Sequence, residues 1–279
     1  EAGWNRLVFV NGAYLDELSS LPSLPAGVKV TAIATAIESG DALVKEHLGR
    51  HADFKSSGFT ALNTAFIQDG AVVHIPDNAV LDVPIHLLFL FTSQEDEAVT
   101  HPRVLIHAGV NSSATVIESY AGLSEGLTLT NTVTEVLIGQ GALLRHYTVQ
   151  QQSEDAYHIS TTEAVLSRDS SFSSVVIDLG GKLVRHNLTA RMAGEGASCT
   201  LNGLYMVTGT QHVDNQVIIE HKMPYTTSRE LYKGILDGKS RSVFHGSIIV
   251  REGAKKVDAF QTDKNLLLSA QAEADTKPA

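Results

Sequence analysis

The sequence predicts an all-β chain, wound as a parallel β-helix (β-solenoid) and preceded by a short α/β segment. Three observations carry that prediction. From Val72 onward the helical spacing of apolar residues is absent for roughly 200 residues. Strand-length runs such as "ATVIESY", "LTLTNTVTEVLI", "LLRHYTVQ" and "QVIIE" take its place, rich in β-branched residues and bounded by Gly, Ser, Asn or Asp. Turn signals recur near Gly109, Gly141, Ser170, Gly196, Thr226 and Gly253, at spacings of 32, 29, 26, 30 and 27 residues. A loose period without strict identity marks stacked repeats, each burying its inner face only against its neighbours.

Competing β architectures fit less well. A propeller blade needs about 40 residues and four strands, usually with a tryptophan signature, and Trp4 is the only tryptophan. A sandwich would show Greek-key irregularity rather than a persistent period.

The elements follow in order. "RLVFVNGAYL" reads as a strand turned at Asn11-Gly12, because a tight hairpin turn needs positive φ there. "SLPSLPAG" is a loop. "DALVKEHLGRHADF" spaces Leu43, Val44, Leu48 and Ala52 at helical intervals, with Asp41 as N-cap. "GFTALNTAFIQDG" predicts a second helix with Phe59, Leu62 and Phe66 on one side, stopping at Gly70. The expected division is a mixed segment over 1–70 and a solenoid core over 71–279. A last rung with open strand edges needs a cap or a partner. "AQAEADTKPA" carries no cap signal, so either a core fragment or a partner at that end is expected.

Composition narrows function. The chain has 279 residues, 43% of them hydrophobic, and a formal charge of −10, which disfavours nucleic acid and anionic membrane as partners. Cys199 is the only cysteine, so this chain alone builds no disulfide and no four-cysteine metal site. The longest apolar run, "LLFLF", is far shorter than the roughly 20 residues that span a bilayer. The start has no signal-peptide pattern, and a cytoplasmic protein is the expectation.

"HVDNQVIIEH" (residues 212–221) resembles a ligand cluster until strand alternation is applied. Alternation puts Val213, Asn215, Val217, Ile219 and His221 on one face and His212, Asp214, Gln216, Ile218 and Glu220 on the other. His212 and Asp214 remain a candidate metal pair, although a solvated face is the simpler reading because closed sites need three or four ligands. His221, His186 and His245 read as hydrogen-bonded core histidines. Cys199 reads as a small buried hydrophobe. Arg229, Lys233, Lys239 and Arg241 form a basic stretch, either a solvated loop or a docking patch for an acidic partner. No phosphate loop, dinucleotide fingerprint or G-x-S-x-G elbow is present, so no catalytic residue is assigned.

Several ordered stretches resemble one family. "FTALNTAFIQDGAVVHIPDNAVLDVPIHL", "LVRHNLTARMAGEGASCTLNGLYM", "IIEHKMPYTTSRELYKGIL" and "RSVFHGSIIVREGAKKVDAFQTDKNLLLSAQAEADTKP" are similar to the SufB/SufD family of iron–sulfur cluster assembly proteins, over about residues 58 to 278. The resemblance implies a right-handed parallel β-helix and membership of a SufB–SufC–SufD complex. In that complex a SufB-type and a SufD-type chain pair through their β-helices, a SufC-type ATPase docks, and a cluster is assembled at the level of the complex. Gln261-Thr262-Asp263-Lys264 stands where the SufB-type pattern carries a cysteine, which places this chain on the SufD-type branch as a non-catalytic scaffold with no cofactor of its own. The family continues beyond "TKP", so a core fragment is expected. Arg229, Lys233, Arg241, His245 and Gln261 are the candidate partner-interface residues, and a homodimer is a further expectation. The rival reading is a β-helix enzyme acting on polysaccharide, which needs stacked carboxylates beside Asp214.

Overall fold

A computed structural model describes residues 3–22, 24–92, 97–123 and 126–279. Strand β1 (Asn5–Val10) turns back into β2 (Ala13–Tyr14) through Asn11 and Gly12, with φ of 49° and 84°, as the Asn-Gly signal predicts. β3 (Lys29–Ala32) leads into α1 (Ile33–Glu38) and α2 (Ala42–His47), and α3 (Gly58–Ala65) follows.

Asp41 caps α2, its carboxylate accepting the N–H groups of Leu43 and Val44. The helix expected through Ala52 nevertheless stops at His47. Leu48 turns extended, and the N–H groups of Gly49, His51 and Ala52 donate to the Glu135 carboxylate instead of to carbonyls one turn back. The amphipathic reading of α3 is also corrected. Phe59 and Phe66 are 42% and 56% exposed, while Thr60 and Asn63 are buried. Asn63 faces inward because its amide donates to the Pro102 and Asn131 carbonyls and its oxygen accepts from Arg103.

The solenoid strands are β4 (Gly70–Ile75), β5 (Ile85–Phe91), β6 (Glu97–Thr100), β7 (Arg103–Ala108), β8 (Ser113–Gly122), β9 (Leu127–Ile138), β10 (Leu143–Gln151) and β11 (Tyr157–Leu166). They continue as β12 (Ser171–Asp178), β13 (Leu183–Met192), β14 (Ser198–Val207), β15 (His212–His221), β16 (Thr227–Leu236), β17 (Arg241–Val250), β18 (Asp258–Leu267) and β19 (Glu273–Pro278). From β7 onward successive strands alternate between two sheets. The first runs β18-β16-β14-β12-β10-β8-β5-β1-β2 and the second β19-β17-β15-β13-β11-β9-β7-β4-β3, with β6 beside β9. Pairing is parallel throughout except at β1–β2 and β3–β4. The chain therefore makes a parallel β-solenoid of about seven turns from residue 70.

Register explains the sequence period. Tyr157 lies beside Leu183 and Gly70 beside Arg103, the shortest and longest steps between neighbouring turns. The predicted turn positions all fall on one edge, where the chain passes from the second sheet to the first. On that edge Asn78, Asn111, Gly141, Asp169, Gly196 and Tyr225 stack in the left-handed region. Each donates its N–H to a carbonyl of the next turn, from Asn78 to Val110 through Tyr225 to Lys255. A Cβ on Gly141 would collide with the Asn111 side chain, so glycine follows asparagine in the ladder.

The interior holds two kinds of stack. Phe9, Phe89 and Tyr120 lie in register with ring centroids 4.8 and 4.9 Å apart. Farther along, the Tyr232 ring lies over Gly203 and the Tyr205 ring over Gly234, in-register pairs in which any Cβ would strike the ring.

Candidate functional site

Strand alternation in "HVDNQVIIEH" holds: the odd-numbered positions from Val213 to His221 are buried. His212 and Asp214 face outward on β15. Asp214 accepts from Arg185 at 2.6 Å and from Gln216 at 2.6 Å. In the adjacent turns it is flanked by Arg185 and Val243, so no carboxylate stacks beside it. Among the described residues no group of three or more His, Cys, Asp or Glu is placed to hold a metal ion.

The basic stretch is divided by the fold. Arg229 and Lys233 lie on the outer face of the first sheet, and Arg241 and His245 on the outer face of the second. Arg229 pairs with Asp258 at 2.5 Å and Arg241 with Asp275 at 2.5 Å, each carboxylate coming from the following turn. Gln261 is on the inner face of β18, its amide packed over Gly246. The core role expected of His245 is corrected: Phe244 and Gly246 point inward, so the residue between them points out. His186 and His221 do face inward. His186 binds Asp178 at 2.8 Å and Ser160 at 2.5 Å, and His221 binds Thr226 at 2.7 Å and Ser228 at 3.1 Å.

His186 belongs to a polar column that sequence reading did not assemble. Glu118 lies 2.7 Å from the His146 ring and accepts from Tyr120 at 2.6 Å and Thr134 at 3.0 Å. One strand on, His158 contacts Gln152 at 2.9 Å, which donates to Thr130 at 2.8 Å. Burial raises the pKa of Glu118, but His146 and the two hydroxyl donors outweigh it and the net shift is downward. Burial pushes His158 well below the usual imidazole value, and the neighbouring His186 adds to the effect. The enclosed space along the column is about 10 Å³, room for about one water molecule and no substrate. The column is therefore hydrogen-bonded packing with no room for a substrate, and among the described residues Nδ1 of His146 and Nε2 of His158 have no partner in it. Its signal in the sequence was a polar residue recurring at the inward phase of strands such as "VIESY" and "LLRHYTVQ".

The outer face of the second sheet carries the most buried ion pair among the described residues. Arg103 and Glu135 are both fully buried and meet at 2.6 Å, with Asn63 on the other side of the guanidinium. Beside this anchor, residues 53–60 roof a groove of about 540 Å³ lined by Arg185, Arg191, Arg251, Glu163 and Glu220. Arg191 reaches Glu163 at 2.6 Å and Glu220 at 3.6 Å, and Arg251 reaches Glu220 at 2.5 Å. Burial pushes the Glu163 carboxyl up to about 7 against the pull of Arg191. Each arginine already has a carboxylate, which makes the groove an ion-pair lattice joining turns.

Cys199 is buried on the inner face of β14, and burial pushes its thiol up to about 12. No described helix is long and apolar enough to cross a membrane.

The fold and the interior define a two-sheet parallel β-solenoid whose one thiol is sealed inside. The comparisons with known proteins place it further. Residues 89–279 match the family model "SUF system FeS cluster assembly, SufBD core domain", and residues 4–87 match the "SufBD protein N-terminal region". The chain belongs to the SufBD family. It is 33% identical over its whole length to an iron–sulfur cluster assembly SufBD family protein of Synechocystis, and 28% identical over 98% of its length to the iron–sulfur cluster assembly protein SufD of Escherichia coli. It spans 63% and 62% of the lengths of those two relatives.

Proposed function

We propose that the chain is a non-catalytic, SufD-type scaffold of the SUF system, acting in the cytoplasm. In this reading it pairs with a SufB-type chain through the β-solenoid and works with a SufC-type ATPase, while the cluster forms at the level of the complex. The observation that carries the reading is the state of the one thiol. Cys199 is 2% exposed and held neutral, so it is unfit to accept sulfur or ligate iron, and Gln261-Thr262-Asp263 on β18 offers no thiol where the SufB-type pattern has one. The likeness to SufD of E. coli across 98% of the chain supports the branch assignment.

Co-purification of the full-length protein with SufB-type and SufC-type chains tests the proposal. A stoichiometric complex is expected. A full-length protein that remains monomeric, or pairs only with itself, in the presence of both chains would contradict it.

A further inference from the structure

Four of the twelve histidines gather on the outer face of the second sheet, although they are scattered in sequence at positions 47, 51, 74 and 107. His74 on β4 and His107 on β7 are in-register neighbours, and their Nδ1 atoms face one another at 3.0 Å. His47, the last residue of α2, stacks on the far side of His107 with ring centroids 6.0 Å apart and planes 15° from parallel. His51 closes the row, with its Nε2 3.3 Å from Nδ1 of His47. All four rings are half-buried, within reach of solvent. The surrounding charge is largely negative: Asp77 acts on both His74 and His107, and Glu46 acts on His107. Asp41 and Lys29, tied to each other, act on His74 with opposite sign.

The simplest account of the central pair is a single N–H···N hydrogen bond. Its spacing also matches the separation of two nitrogens on one metal ion. Two nitrogens bound cis to one cation at 2.0–2.1 Å stand about 2.9 Å apart in octahedral geometry and about 3.4 Å in tetrahedral geometry. The 3.0 Å separation of the two Nδ1 atoms lies within that range. Only two donors point at that spot as the side chains stand, so any site there is open, with its other positions left to water or to a neighbouring imidazole. Burial depresses the pKa of both rings, which favours the neutral imidazole that ligates metal. Imidazole donors select first-row transition ions and zinc over calcium or magnesium, which take oxygen ligands.

We propose that Nδ1 of His74 and Nδ1 of His107 form an open site for one divalent transition-type cation such as Zn²⁺ or Co²⁺, with His47 as the next imidazole outward. In the empty state one Nδ1–H donates to the other Nδ1. Both must accept the ion when it binds, so the donating ring moves its proton to Nε2 and no net proton is released.

The test is titration of the full-length protein with CoCl₂, followed by absorption, and with ZnCl₂, followed by calorimetry. One ion per chain is expected. His74→Ala and His107→Ala should each weaken binding by about tenfold or more, while His101→Ala, on the same face but outside the row, should leave it unchanged. Binding that survives in the His74→Ala/His107→Ala double variant, or no stoichiometric binding to the native protein, overturns the proposal. Because an alanine variant can fail to fold, a second readout uses the native protein alone. Long-range ¹H–¹⁵N spectra of the histidine rings should show Zn²⁺ shifting Nδ1 of His74 and His107 and converting the donating ring to the Nε2–H tautomer its partner already holds. Shifts confined to other histidines would overturn it equally.

Discussion

Glu230 lies on the inner face of β16 with 2% exposure, and neither carboxylate oxygen has a hydrogen-bond partner among the described residues. Its in-register neighbours are Leu201 and Gln261, which offer no compensating positive charge. Burial, reinforced by the charge of Asp263, pushes its carboxyl from the ordinary 4.5 up to about 8. Below pH 4.5 the group is protonated whether the chain is folded or not, and it costs nothing on this account. As pH rises from there, the unfolded chain loses a proton that the folded chain keeps, so stability falls until pH reaches about 8. Each tenfold change in proton affinity corresponds to about 1.4 kcal/mol, so the cost at pH 7 is about 3 kcal/mol, approaching a ceiling of about 5 kcal/mol in alkaline solution. Glu230→Gln keeps the shape and removes the ionisation. Thermal unfolding of both proteins at pH 5 and pH 7.5 is the assay. The melting temperatures should nearly coincide at pH 5, and the variant should melt roughly 5 °C higher at pH 7.5. A gap of the same size at both pH values, or a variant that melts lower at pH 7.5, would refute the reasoning.

Four further expectations follow from the packing. Arg103→Met strands the Glu135 carboxylate in a fully buried place and should cost about 3–5 kcal/mol by thermal unfolding. Burial pushes Glu135 up, but Arg103 and the N–H groups of Gly49 and His51 bring its net shift below the usual value. Its stabilising contribution is therefore present above the ordinary carboxylate range and lost as pH falls through its folded value. Limited proteolysis within residues 49–57 should accelerate on acidification accordingly. Gly203→Ala drives a methyl group into the Tyr232 ring and should cost about 1–3 kcal/mol in the same assay. Cys199 should resist iodoacetamide in the native protein at pH 8 and react once the chain is unfolded in denaturant.

Much of the architecture was legible because a solenoid writes its geometry into the chain as a period. The turns near Gly141 and Gly196 recur since stacked left-handed positions demand Gly, Asn or Asp at nearly every turn. Inner and outer faces of β15 were legible for the same local reason, since alternation has a fixed phase once a strand is established. Where the expectation failed, a distant residue had intervened. Glu135, more than 80 residues away, captures the N–H groups that would have extended α2, and Arg103 turns the polar side of α3 inward. Neither partner is visible in a window around the helix. The candidate site residues fared differently for a topological reason. Proximity in sequence suggested one patch from Arg229 to His245, but the strand-to-strand crossover at residues 237–240 sends its two ends to opposite sheets. The row formed by His47, His51, His74 and His107 shows the converse, since only the parallel register of β4 and β7 brings its central pair together.

The central claim is that this chain serves iron–sulfur cluster assembly as a scaffold that needs no thiol of its own within this region. Its most direct test is the activity of iron–sulfur enzymes in cells from which the full-length protein has been deleted and then restored as wild type or as Cys199→Ala. The account predicts that activity falls on deletion and that both forms restore it equally. Unchanged activity on deletion, or rescue by the wild type alone with the variant folded and present, would contradict it.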